Sequence, residues 1–206
     1  MSSAPSGRPS GAHDVPTGKN VPGQHHLGPV VERFDDAADL ALERLRGNPV
    51  LDRVFTTASH IGDFSLVWHT TNLILGIRQR RPRQVITFAV LIGLESLVVN
   101  QGVKRMFRRP RPTATGDDGL RVRQPTTSSF PSGHASAATF AAGLLVPRAR
   151  WPLSGVICTG AAAVAVSRAY VRIHHASDVA AGLVTGAALL LATRRFFARA
   201  SLDRLI

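Results

Sequence analysis

From residue 60 onward the chain alternates apolar runs with short connectors rich in Arg and Pro. Five runs stand out, at about 60–77, 84–103, 134–147, 153–168 and 179–193. Stretches such as Val156 to Val166 and Val179 to Ala192 have almost no polar face. They are dense in Gly, Ala, Ser and Thr, which lets helices approach closely in lipid. Several runs are short against the roughly 20 apolar residues a span requires, and the whole-chain hydropathy is only slightly positive. The missing polar faces nevertheless predict an all-α fold, an integral-membrane helical bundle of about five spans rather than a soluble bundle.

Ahead of these runs the period changes. Val30, Phe34, Ala37, Ala38, Ala41 and Leu45 fall on one helical face, with most charges off it, until Gly47-Asn48-Pro49 stops the helix. Such an amphipathic helix can lie at a membrane surface or pack on the rest of the domain, and the pattern leaves both open. Residues 1–28 are rich in Ser, Pro, Gly and His without a hydrophobic period and read as a disordered tail. Their basic start is not followed by the apolar stretch of a secretory signal. The expected organisation is therefore a tail at 1–28, an amphipathic interfacial helix with its connector at 29–59, and the membrane domain at 60–206.

Composition narrows the chemistry. Cys158 is the only cysteine among 206 residues, which removes disulfide frameworks and thiolate metal sites. The histidines show no zinc spacing: His13, His25 and His26 lie in the tail, and His60 and His69 stand apart. No metal and no cofactor are expected. A net charge of +12 raises the question of nucleic acid. The basic residues, however, crowd one stretch (Lys104, Arg105, Arg108, Arg109, Arg111, Arg121 and Arg123) or cap apolar runs, and aromatics do not interleave with them as a stacking platform requires. Nucleic acid is not an expected partner.

Three short islands carry the candidate chemistry. Lys104 is followed seven residues later by Arg111-Pro112; next comes Pro131-Ser132-Gly133-His134; last comes Ser167-Arg168, with His174 and Asp178 behind it. In alternating spans all three emerge on one side, as a convergent site needs. Lys104 and Arg111 can pair with phosphate oxygens, but basic residues after a span are also interfacial anchors snorkelling to headgroups, the reading preferred for Arg105, Arg108 and Arg109. Pro131 suits a first helical turn, leaving the N–H groups of Ser132, Gly133 and His134 for an anion. Taken alone this tetrapeptide reads more readily as an ordinary helix cap. His174 and Asp178 are four apart and share a face if helical, so that Asp178 accepts from Nδ1 and Nε2 points outward. A lone pair of this kind is more often a structural hydrogen bond. Two acids sit in apolar runs. Glu95, nine residues before Lys104, faces away from the cations in a regular helix and suits a structural partner such as His69. Asp63 is the second.

Together the eleven specified residues resemble, in order and spacing, the signature of the type 2 phosphatidic acid phosphatase family, which includes lipid phosphate phosphatases and vanadium haloperoxidases. The resemblance covers about residues 60–195. It implies that His174 is the histidine that becomes phosphorylated and that Asp178 orients it. It implies also that His134 is the general acid, and that Lys104, Arg111, Ser132, Gly133 and Arg168 cradle the phosphoryl oxygens. His175 breaks the spacing from Arg168 and is a neighbour. Many membrane members have six spans, so the helix near 30–46 stands as a candidate sixth.

The expected function is a metal-independent, membrane-bound lipid phosphate phosphatase acting through a phosphohistidine, with membrane lipids around it. Its substrate is a phosphomonoester or diphosphate of a polyprenol or glycerolipid, undecaprenyl diphosphate ranking slightly ahead of phosphatidic acid. A vanadate-dependent haloperoxidase and a non-catalytic binder of phosphate lipids are the alternatives. On the face opposite the islands, the connectors hold Arg78, Arg80, Arg81, Arg83, Arg148, Arg150, Arg194, Arg195, Arg199 and Arg204, with Asp203 as the only acid. By the positive-inside tendency that face is cytoplasmic, which puts the islands on the extracytoplasmic side of the cell membrane.

Overall fold

The computed structural model describes residues 27–112, 120, 127–200 and 202. The expected tail through residue 26, Arg121, Arg123, Asp203 and Arg204 lie outside them. Seven α-helices follow one another: α1 Pro29–Glu43, α2 Pro49–Ile61, α3 Leu66–Gln79, α4 Pro82–Leu97, α5 Gly133–Leu145, α6 Leu153–Tyr170 and α7 Ala176–Arg199. No strand occurs among the described residues. Three helical stretches, Pro82–Met106, Leu153–Tyr170 and Ala176–Arg199, are long and apolar enough to cross a membrane. With 14 and 13 residues, α3 and α5 are shorter.

Gly47-Asn48-Pro49 ends α1 as expected and also starts a helix that the hydrophobic pattern did not reveal. Asn48 caps α2 by accepting from the N–H of Val50 at 3.0 Å and of Leu51 at 3.3 Å, with Pro49 in the first turn. Residues 49–59 are thus helix rather than connector. The first apolar run breaks where Phe64 and Ser65 adopt φ of 54° and 56°. The α1–α2 hairpin docks on the end of α6: Leu42, Leu51 and Phe55 pack on Tyr170, Val171 and Ile173. Tyr170 donates to Asp52 at 2.6 Å, and Arg46 donates to the Tyr170 carbonyl at 2.9 Å. In α1 the single buried residue is Asp35, while Val30 and Phe34 on the expected apolar face are exposed. The helix therefore packs through the neighbouring face of Val31, Asp35, Ala38 and Leu42 and leaves most of the expected apolar face outward.

One core joins α3 to α6 through Trp68, Leu75, Phe88, Phe140, Leu145 and Ile157. In α7, Gly182 and Gly186 lie so close to α5 that a Cβ on either would collide with the carbonyl oxygen of Ser132 or Ser136. This small-xxx-small contact sets α5 directly against α7. The outward residues of α4 (Ile86, Val90, Leu94) and of α7 (Val184, Leu191) remain apolar and exposed, a surface that suits lipid and is a liability in water.

Candidate active site

All three islands line one cavity of about 670 Å³, which is walled by the turn before α3, α4 and its extension, the start of α5, the end of α6 and the turn before α7. Lys104, Arg111, His134, Arg168 and His174 are among its lining residues, as is Gly133. His175 is not.

The α4 extension is irregular. Beyond Leu97 the chain continues as a π-helical turn, Val98–Gly102, and a 3-10 turn, Val103–Met106. The wider turn changes the phase, so Glu95 and Lys104 line the same cavity instead of facing apart. The expected Glu95–His69 pairing is replaced as well. Ser136 donates to Glu95 Oε1, and the His69 ring stands edge-on to Phe88, centroids 5.9 Å apart.

Lys104 is 7% exposed, and its ammonium has no hydrogen-bond partner among the described residues. Arg111 donates to the carbonyls of Ile173 at 2.8 Å and Thr127 at 3.2 Å, and its Nη1 lies 3.3 Å from His174 Nε2. Burial lowers its pKa. Arg168 donates to Ser59 Oγ at 2.5 Å, and its buried Nε has no acceptor among the described residues. Three cations thus converge, with Asp63 3.8 Å from Arg168 and Asp178 the carboxylate that acts on Lys104 and Arg111, an arrangement that draws a phosphoryl dianion.

At the second island, α5 begins at Gly133 with Ser132 as its N-cap, accepting from the Ala135 N–H at 3.5 Å. Pro131 therefore precedes the helix instead of opening it. The Ser132 N–H is also not free, since it donates to the Asp178 carbonyl at 2.9 Å. Gly133 and His134 still present first-turn N–H groups that no intrahelical carbonyl reaches. His134 Nε2 lies 2.9 Å from Asp63 Oδ1, and that hydrogen bond is the main cause holding the Asp63 carboxyl below its usual range.

The third island departs from the helical picture. His174 precedes α7, His175 is the N-cap, and Asp178 is the third helical residue, accepting from the His175 N–H at 2.9 Å. This cap, rather than a shared helix face, brings Asp178 Oδ2 to 3.6 Å from His174 Nδ1. Ser129 fills the corner, donating to Asp178 Oδ2 with its Oγ 3.4 Å from Nδ1. Burial pushes the His174 imidazole down to about 3 against the pull of Asp178, so Nε2 carries an available lone pair at neutral pH.

Arg109 is not an interfacial anchor. It is buried and donates to Asp178 Oδ1 at 2.5 Å, Ser177 Oγ at 2.7 Å and Asp35 Oδ2 at 2.6 Å. Asp35 also accepts from the Ser177 N–H at 2.7 Å, which ties α1 to the start of α7. Arg105 and Arg108 are exposed, as anchors should be. Sequence reasoning missed Ser129, Arg109 and Asp35. The only available signals were a serine two residues before the second island and an acid on the charged side of α1. Among the described residues, no cluster of three His, Cys, Asp or Glu side chains is placed to hold a metal ion.

The PAP2 superfamily model matches residues 84–201. A decaprenylphosphoryl-5-phosphoribose phosphatase of Mycobacterium tuberculosis is 31% identical over 131 residues, covering 63% of this chain and 71% of the relative. The protein of the same description in Mycolicibacterium smegmatis is 30% identical over 154 residues, covering 73% and 82%. The fold is shared with a transmembrane PAP2-type phosphatidylglycerolphosphate phosphatase of Bacillus subtilis, at TM-score 0.64, 23% identity and coverage of 84% of this chain and 89% of that one. Aquifex aeolicus LpxE aligns at TM-score 0.65 and 21% identity, covering 84% and 99%.

Proposed function

The chain belongs to the PAP2 superfamily, and from that premise we propose that it is a membrane-bound, metal-independent lipid phosphate phosphatase working through a phosphohistidine. The observation that carries this reading is the meeting of a neutral, buried His174 with Lys104, Arg111 and Arg168 in one cavity. His174 Nε2 attacks phosphorus in line, forming a P–N bond as the bond to the leaving oxygen breaks. His134 gives that oxygen its proton; burial lowers the pKa of His134, and Asp63 at 2.9 Å opposes that shift by favouring the protonated imidazole. Water then transfers a proton to neutral His134 while its oxygen attacks phosphorus, which breaks the P–N bond and releases phosphate. Asp178, held by Arg109, Ser129 and the His175 N–H, orients His174 and offsets its positive charge while phosphorylated. The cations and the Gly133–His134 segment hold the equatorial oxygens, and most of the rate comes from that preorganised charge.

The mycobacterial relatives favour a polyprenol-anchored substrate over a glycerolipid. Both polyprenyl diphosphates and other polyprenol-linked phosphates fit that class. We place the site on the extracytoplasmic side, because the arginine-rich connectors at the other end satisfy the positive-inside tendency. Single cysteines at Asp118, which lies outside the described residues, and at Arg81, in a Cys158→Ser background, test this in intact cells. An impermeant maleimide should label position 118 alone; labelling at 81 reverses the orientation. For the chemistry, purified chain in detergent should release phosphate from polyprenyl phosphates in excess chelator and be inhibited by vanadate. Activity lost in EDTA and restored by Mg²⁺ would overturn metal independence, and vanadate-dependent halide oxidation would point to the haloperoxidase branch.

A further inference from the structure

The cavity continues past its cationic end along α4, and the mechanism above uses nothing in that stretch. Its wall there carries Glu95, Ser96 and Asn100, with His69 of α3 also lining it. Glu95 is 4% exposed. Ser136 satisfies Oε1, while Oε2 has no donor among the described residues. Oε2 is open to the cavity, so a bound group can supply the donor that the protein does not. Asn100 donates from Nδ2 to Ser96 Oγ at 3.0 Å. Its Oδ1 borders the phosphoryl end, for a Cβ on Gly133 would lie 3.1 Å from Asn100 Oδ1 and 3.8 Å from Lys104 Nζ. The acceptors therefore begin beside the cradle and run outward from it.

All three cavity-lining cations, Lys104, Arg111 and Arg168, belong to the phosphoryl end. The middle stretch holds a carboxylate and no Lys or Arg. Beyond it come Ala89, Ile92 and Gly93, where a Cβ on Gly93 would meet nothing within 4 Å. From cradle to exit the wall thus changes from cationic, through hydrogen-bond accepting, to apolar.

Resting on the phosphatase reading above, we propose that the middle stretch, with Glu95 as its principal acceptor, binds the hydroxyl groups of an uncharged sugar or polyol lying between the scissile phosphoryl group and the hydrocarbon anchor. A hydroxyl supplies the donor that Glu95 Oε2 lacks. A second phosphate in the same place meets acceptors with no Lys or Arg among them, and the site disfavours it because its oxygens and the wall's acceptors are left without donors. A phosphate bonded directly to hydrocarbon leaves Oε2 without a donor, and a site built to bind hydroxyls discriminates against a ligand lacking them.

Three probes with one alkyl chain separate these cases: dodecyl phosphate, dodecyl diphosphate, and a dodecyl glucoside phosphorylated on its primary hydroxyl. With the full chain in detergent, kcat/KM for the glucoside phosphate should exceed that for dodecyl phosphate by about tenfold, the value of one hydrogen bond to a charged group, and exceed the diphosphate by more. Glu95→Gln keeps the shape and puts a donating amide in place of an accepting oxygen, and should lower the glucoside-to-diphosphate ratio about tenfold, chiefly through KM. Asn100→Ala should move the ratio in the same direction if the Glu95 variant does not fold. Equal turnover of the three probes by the wild-type chain, or a ratio unmoved in the folded variants, overturns the hydroxyl site while leaving the phosphatase reading intact. No phosphate release from any probe overturns that reading and this inference with it.

Discussion

Replacing Arg109 by Gln removes the one cation that the structure places between two buried carboxylates. Asp35 is 7% exposed and Asp178 0%, and Arg109 bonds both, at 2.6 and 2.5 Å. Breaking a buried pair by deleting one partner costs about 3–5 kcal/mol, because the remaining charge is left uncompensated. Here two charges are left, so the loss belongs at the upper end of that range. Removing one of them should then help. Arg109→Gln with Asp35→Asn takes away the α1 carboxylate, and the double variant should be more stable than Arg109→Gln alone by about 1–3 kcal/mol, the desolvation penalty of one unsatisfied group. Catalysis should respond differently. Asp178 loses its Oδ1 anchor in both variants and can turn away from His174 Nδ1, so kcat should fall about ten- to hundredfold, or ~1.4–2.7 kcal/mol in the barrier, in the single and the double variant alike. Denaturation midpoints in detergent and phosphate release, measured on the four chains of the cycle, provide the assay. Additive losses of stability would refute the three-membered network, and wild-type kcat in either Arg109 variant would refute its hold on Asp178.

His174→Ala should abolish phosphate release, whereas His175→Asn, which still caps α7, should retain it; endpoint phosphate assays on both decide which imidazole attacks. Stability should also depend on pH through His174. The unfolded chain gains a proton there near pH 6.5, and the folded chain refuses it until about 3, so this contribution is complete above that window and is lost as pH falls through it. Melting midpoints between about pH 7 and 4 should therefore drop for the wild type and drop less for His174→Asn. Gly186→Val drives a side chain into the Ser136 carbonyl and should cost at least the roughly 1–3 kcal/mol of an overpacked contact, read as a lower denaturation midpoint. Asp63→Asn should lower kcat more than it raises KM and shift the alkaline limb of the rate profile to lower pH, because it removes the carboxylate that favours protonated His134; an unchanged pH profile would remove Asp63 from the proton path.

Apolar runs and their punctuation made most of the helices visible. Each of the five runs holds a helix, and Gly47-Asn48-Pro49 marked the end of α1 because capping and proline geometry act locally. What stayed hidden depends on contacts across the chain or on local irregularity. Glu95 was placed on the wrong side because a regular helix was assumed through a stretch that takes a π-helical turn. Arg109 resembled its neighbours Arg105 and Arg108 in every local respect, and its distinction lies in Asp35, 74 residues away. Ser129 and Asp63 matter through the partners they meet, Asp178 and His134, which no periodicity reveals. The spacing between His174 and Asp178 was informative for a different reason than helical phase, since a helix cap rather than a helix face brings them together.

The most direct test is to trap the covalent intermediate. Purified chain mixed with a ³²P-labelled polyprenyl phosphate and quenched in alkali within one turnover should carry label that survives base and is lost in acid, as a phosphorylated imidazole behaves. Peptide mapping should place it on His174, and the His174→Ala chain should carry none. Label on another residue, or steady release of phosphate by the wild-type chain with no labelled protein at any quench time, would contradict His174 as the nucleophile.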